Sequence, residues 1–167
     1  MKKLTENSLR AALAGESQAH LKYKFYAEQA KKENLPNIAR LFEAASMSEQ
    51  VHAGNYLKVL NEEGKTAENL DRALQGETFE VEDMYPAYIA VAKEQGENKA
   101  VMFFQAALAT EKVHAGLYSR AKEAAQQGKD VELPEIYICP ACGFAMEGEA
   151  PERCPICGTP KDKFVKF

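Results

Sequence analysis

The 167 residues suffice for one domain, or for a larger domain with a small appendage. Lys and Arg number 21 against 25 Asp and Glu, the net charge is -4, and no clustered Lys/Arg stripe stands out, which excludes a general basic surface for nucleic acid. Lys2 and Lys3 are followed by Thr5, Glu6 and Asn7 rather than the apolar core of a signal peptide, and no apolar run approaches the roughly 20 residues that span a bilayer, so a cytoplasmic protein with no membrane partner is expected.

Four helices are predicted before the first cysteine. The first covers about residues 5–33, with Leu9, Ala12, Glu16, Ala19 and Tyr23 on one stripe. Asn34 and Leu35 break it, and Pro36 suits the first turn of the second helix, which is expected to end near Gly64. Residues 65–75 read as a connector. The third helix is expected from about Gly76 to Gly96, with Glu77, Glu80, Met84, Ala87 and Val91 on one stripe. Pro86 inside it should free the Glu82 carbonyl and kink the helix near Glu80. The fourth helix is expected to stop at Gln127-Gly128, where glycine fits the position just past a helix end. After Pro134 too little chain remains for a core of its own, so that segment needs metal to hold it.

The second and fourth helices carry the same message. Phe42, Ala45, Glu49, His52 and Tyr56 recur at the same intervals as Phe104, Ala107, Glu111, His114 and Tyr118. Intervals of three and four place each set on one stripe, apolar at its ends and bearing a carboxylate and an imidazole in the middle. Burying those groups without a partner costs several kcal/mol or more, so two such stripes point to metal. The pair Gly15-Glu16 answers Gly76-Glu77, and the two helical hairpins differ by a single residue in register. This internal repeat predicts a pseudo-twofold four-helix bundle with Glu16, Glu49, His52, Glu77, Glu111 and His114 as ligands, the arrangement of ferritin-like dinuclear carboxylate proteins. Read alone, one Glu-x-x-His is usually an exposed glutamate beside a half-buried histidine; the matched duplication removes that reading.

Cysteine is confined to Cys139-Pro140-Ala141-Cys142-Gly143 and Cys154-Pro155-Ile156-Cys157-Gly158. In a reducing compartment these are a four-thiolate metal site rather than disulfides. Each glycine permits the tight turn that aims backbone N–H groups at the sulfurs and lowers their basicity. The spacing alone leaves the metal open between iron and zinc.

Together these motifs are similar to the rubrerythrin family over essentially the whole chain, including Gly15 to Ala19, Gly76 to Glu80, and Asp83-Met84-Tyr85-Pro86. The resemblance implies an all-α ferritin-like four-helix bundle over residues 1–134, holding an oxo-bridged pair of irons. It implies a rubredoxin-like domain over residues 135–167, with one iron on Cys139, Cys142, Cys154 and Cys157. It further implies a peroxidase of oxidative-stress defence, reducing hydrogen peroxide to water with electrons from rubredoxin or an NAD(P)H-dependent reductase. Among the ligands it adds Glu80, which alternates with His52 on one iron as the oxidation state changes. Tyr23 and Tyr85 are implied to hydrogen-bond ligand carboxylates, although tyrosines on such stripes are more often core residues.

Glu80 is the discriminating residue, because its pseudo-symmetric position is Ala19 and the symmetric sites of ferritins resemble the set without it. On spacing alone it could equally belong to a solvated face with Glu82 and Asp83. An added anionic ligand favours a ferric pair, whereas a neutral imidazole suits the ferrous one. His20 has no counterpart in the second repeat and reads as a non-ligand. Two other functions fit the motifs less well: a ferroxidase or iron-handling protein, and a zinc-ribbon interaction module fused to a metal-binding bundle. Ferric iron on four thiolates is red and zinc colourless, which separates the last cheaply. With its tail leaving the end of the fourth helix, over roughly 20 Å from Glu111, the chain is expected to form a head-to-tail homodimer whose tails serve partner sites. Helix pairs could also exchange through the 65–75 connector.

Overall fold

The computed structural model describes residues 1–167, which divide into two compact units, residues 1–64 and 65–167. In the first, α1 (Lys3–Lys32) and α2 (Pro36–Val59) pack as a hairpin. Asn34 takes a left-handed φ of 58° at the turn, the Leu35 N–H bonds the Ala30 carbonyl, and Pro36 opens α2 as expected. Short buried side chains, Ala27, Ala30, Ala39 and Ala53, line the seam. Ser46 pins it by donating to the backbone carbonyl of His20 at 2.9 Å.

In the second unit α3 (Thr66–Phe79) runs through a π turn (Glu80–Met84) into α4 (Tyr85–Glu94), and both pack on α5 (Asn98–Gln126). The third helix therefore starts ten residues earlier than expected, and the connector predicted over 65–75 shrinks to residues 60–65. The physical reason is a capped start: the Glu68 carboxylate accepts the Lys65 backbone N–H at 3.0 Å. The half-buried Ala67, Leu70 and Leu74 then lead at helical spacing into Glu77, and Asp71 pairs with Lys122 of α5. Gly76 sits inside this helix rather than starting it.

The irregularity expected at Pro86 takes the form of the π turn, in which the Tyr85 N–H reaches the Glu80 carbonyl. It absorbs the single extra residue of the second repeat. On either side the repeats still match: Tyr23, Tyr26 and Phe42 form a ring trio with centroids 5.5 to 6.2 Å apart. Tyr85, Tyr88 and Phe104 form its counterpart at 5.7 to 6.4 Å.

Beyond α5, Gly128 adopts a φ of 69° and residues 129–135 run without regular structure to a three-stranded antiparallel sheet of order β2-β1-β3. The strands are β1 (Ile136–Ile138), β2 (Ala145–Glu147) and β3 (Val165–Lys166). This tail does not stand off the end of α5, which corrects the expectation that it lies roughly 20 Å from Glu111. It folds back along α5, where Ala145 and Ala106 are both fully buried and Arg120 pairs with Glu147. The seven linker residues reach at most about 25 Å when extended, enough to return by several helical turns.

Candidate metal centres

Each unit carries a three-residue donor cluster built by one Glu-x-x-His and one glutamate from the neighbouring helix. In the first unit Glu16 of α1 meets Glu49 and His52 of α2; in the second Glu77 of α3 meets Glu111 and His114 of α5. All donor atoms within each cluster lie within 4.8 Å of one another. The geometries repeat closely. His52 Nδ1 lies 2.9 Å from Glu49 and 3.8 Å from Glu16, and His114 Nδ1 lies 2.8 Å from Glu111 and 3.7 Å from Glu77. Two carboxylates converging on one imidazole nitrogen suit a hard to borderline cation such as iron.

The electrostatics agree. A hydrogen bond shared with Glu49 holds the Glu16 carboxyl above its ordinary 4.5, and for Glu77 burial does so first, then Glu111. Burial and the charge of Glu77 raise Glu80 as well. These are carboxylates gathered closer than their charges allow unless protons or a cation intervene. Their raised values mean that these three groups hold protons to higher pH in the folded, metal-free protein than in the unfolded chain. Stability contributed by these groups is then lost as pH rises through the raised values. Metal-free protein is expected to melt at a higher temperature near pH 4.5 than near pH 5.5, a window below the range in which Cys157 ionises, and iron loading should remove the difference. Calorimetry on both forms checks this; a metal-free melting temperature that climbs with pH contradicts it.

Glu80 stands beside Glu77 and His114, close enough to feel both charges, but is not drawn into the tight cluster. Tyr85 lies among Glu80, Glu111 and Glu77, and burial followed by those charges raises its phenol. Tyr23 sits in the matching ring trio of the first unit. His20 is occupied elsewhere, its Nδ1 lying 2.9 Å from the Ser46 carbonyl and 3.0 Å from the Ser46 hydroxyl, in keeping with a non-ligand.

In the tail the four sulfurs converge, with Cys139 and Cys157 3.6 Å apart and Cys142 and Cys154 likewise. A tetrahedral site with metal–sulfur bonds of about 2.3 Å needs sulfurs about 3.8 Å apart, so the cluster fits one ion with little adjustment. The turns work as expected, with Gly143 at a φ of 81° and Gly158 at 77°. Burial opposes ionisation of Cys139, but the Ala141 and Cys142 N–H groups outweigh it and its pKa is lowered. The hydroxyl and backbone N–H of Thr159 lower Cys157 to about 6, whereas burial raises Cys142 and Cys154. Such a split describes thiols that share protons until a cation replaces them.

One residue escaped the sequence reading. Thr110, only 5% exposed, lies between Ala106 and Leu117 on a second stripe of α5, next to the stripe that carries Glu111 and His114. Its hydroxyl accepts the Ala145 N–H at 3.2 Å and donates toward the Gly143 and Ala106 carbonyls at 3.3 and 3.1 Å. The signal was present as Ala106, Thr110 and Leu117 at helical spacing, but nothing local says what such a stripe faces.

The rubrerythrin family profile matches residues 7–122, and that of the rubrerythrin rubredoxin-like domain matches residues 137–165. The chain is 42% identical to rubrerythrin-2 of Clostridium acetobutylicum, covering 98% of this chain and 97% of that protein. It is 37% identical to nigerythrin of Nitratidesulfovibrio vulgaris, covering 98% and 86%. A solved structure of nigerythrin in its fully reduced, all-ferrous state superposes with a TM-score of 0.54 at 36% identity, again over 98% and 86% of the two chains. With three donor clusters, iron-loaded protein from a native host should hold three irons per chain by metal analysis, and one zinc with no iron would contradict it. Donor sets for a carboxylate-bridged diiron site and a rubredoxin-type iron, on ferritin-like helices with a four-cysteine tail, thus stand together in one chain, and the chain belongs to the rubrerythrin family.

Proposed function

We propose that this protein is a peroxidase that reduces hydrogen peroxide to water in oxidative-stress defence, with electrons delivered by rubredoxin or an NAD(P)H-dependent reductase through the four-thiolate site. The observation that carries the reading is the attachment of a one-electron thiolate site to the very helix that supplies Glu111 and His114. An iron store or ferroxidase gains nothing from that attachment. In this reading residues 1–134 hold the diiron centre and residues 135–167 the rubredoxin-type iron, a division supported by the two family matches. Four unbridged cysteines fit the reducing cytoplasm. Large apolar side chains left exposed in each unit, Phe25 and Leu41 in one and Phe79 and Val91 in the other, favour assembly as a homodimer.

Glu16, Glu49 and His52 with Glu77, Glu80, Glu111 and His114 are the proposed ligands of the diiron pair, and Cys139, Cys142, Cys154 and Cys157 hold the third iron. A pair of irons held there would supply the two electrons that O–O cleavage consumes, and an iron held on the four thiolates would supply single-electron chemistry. The chain's own residues manage the protons, two of which are consumed per peroxide. Glu80, proposed to alternate with His52 as a ligand, is the acid placed for this work: burial and Glu77 favour its protonated form. Tyr85 can orient peroxide or a ligand carboxylate from beside Glu80 and Glu111, and Tyr23 holds the equivalent place in the first repeat. The test is anaerobic peroxide consumption by iron-loaded protein with NADH, reductase and rubredoxin. Rapid oxidation of NADH that depends on both peroxide and this chain is expected; iron uptake without peroxide turnover would favour the storage reading.

A further inference from the structure

We propose that Tyr118 is a reserve electron donor, a phenol that completes peroxide cleavage when the diiron pair is one electron short. The inference rests on the proposed reduction of peroxide and adds a protective activity to it. Three observations carry it. First, every glutamate of the two donor clusters is followed two helical turns later by a tyrosine. Tyr23, Tyr56 and Tyr118 come seven residues after Glu16, Glu49 and Glu111, and Tyr85 comes eight after Glu77, across the π turn. Second, the ring of Tyr118 lies against that of His114, with centroids 6.1 Å apart. Half-buried on α5, its phenol stands close enough to Glu77 and Glu111 to feel both charges. Tyr85 feels the same carboxylates, but its ring neighbours are Tyr88 and Phe104 rather than a candidate ligand. Third, the chain has no tryptophan, and its four cysteines all lie in the thiolate site. Tyrosine is therefore the side chain left beside the carboxylates that readily gives up a single electron.

Electron arithmetic creates the need. Three donor clusters filled with iron store three electrons per chain, whereas each peroxide takes two, so the stored number is odd. Whichever chain's thiolate site supplies it, the third electron leaves a pair half-filled. Peroxide cleaved by one electron releases a hydroxyl radical. Tyr118 prevents this by giving the second electron together with its phenolic proton. The O–O bond then breaks with one electron from ferrous iron, one electron and one proton from the phenol, and one proton from Glu80. The products are two waters, a ferric ion and a tyrosyl radical. One later electron through the thiolate site, with one proton, restores the phenol.

The test mixes fully reduced, iron-loaded protein with excess hydrogen peroxide and freezes the mixture for paramagnetic resonance. The expected product is a tyrosyl radical signal whose hyperfine splitting collapses when the tyrosines carry ring deuterium. Tyr118→Phe keeps the ring against His114 but has no phenolic O–H, and it should lose the signal. Should that variant fail to fold or to hold iron, wild-type protein decides. A small nitroso spin trap added during the reaction should mark Tyr118, read by peptide mass spectrometry. An undiminished signal in Tyr118→Phe, or trap adducts confined to other tyrosines, overturns the proposal. The two readings fail differently. Peroxide left unconsumed sinks the peroxidase reading and this one with it, whereas peroxide consumed without any tyrosyl signal sinks this one alone.

Discussion

Zinc placed on Cys139, Cys142, Cys154 and Cys157, with iron retained in the carboxylate clusters, is expected to reduce NADH-driven peroxide turnover to background. A chemically reduced sample should still react with peroxide once. Four thiolates accept either metal, and zinc holds the same tetrahedral geometry but carries no electron. The substitution is more informative than deleting residues 135–167. Deletion would uncover Thr110, whose buried hydroxyl would lose its partners at Gly143 and Ala145. Losing that packing surface on α5, the truncated chain should melt earlier as well as lose its electron inlet. Stopped-flow measurement of single and steady turnover on both forms separates the effects. Undiminished NADH-driven turnover with zinc in the tail would make the tail a structural element only.

Replacing Glu80 by alanine should leave iron content unchanged yet slow steady peroxide turnover about a hundredfold, the usual loss when a positioned acid is removed. Iron is kept because Glu77, Glu111 and His114 form their cluster without Glu80. The turnover loss follows from its place beside Glu77 and His114, where burial favours a carboxyl that keeps its proton. Glu80→Gln refines the result, since the amide preserves size and polarity but cannot deliver a proton at neutral pH. If the glutamine variant is as slow as the alanine one, proton delivery is the function lost. A wild-type rate in Glu80→Ala would reduce Glu80 to part of a solvated face with Glu82 and Asp83 and strengthen the storage reading.

The candidate ligand clusters were legible in the sequence because their spacing is a matter of local geometry. On a helix, three residues separate Glu49 from His52 and Glu111 from His114 by less than one turn, so spacing alone places each pair on one face. The cysteine pairs are equally local, each closing a turn around its own glycine, and the left-handed φ of Gly143 and Gly158 is as that spacing demands. Repetition supplied the rest: the ring trios of Tyr23, Tyr26 and Phe42 and of Tyr85, Tyr88 and Phe104 are two copies of one pattern. The single-residue excess of the second copy announced an irregularity, but only the folded helix located it, as a π turn opening at Glu80.

What tertiary structure decided involves residues far apart in the chain, whose spacing carries no periodic signal. The start of α3 depends on Ala67, Leu70 and Leu74 finding α5, and on Asp71 meeting Lys122 fifty-one residues away. With those contacts Gly76, a residue of low helix propensity, becomes an interior position. The tail's position is the larger case. A flexible linker after Gly128 is compatible with any placement within its reach, and the reading from helix length put the thiolate site at the far end of α5. Burial of Ala145 against Ala106, and the need of the Ala145 N–H for an acceptor once water is excluded, bring it instead to Thr110, beside Glu111.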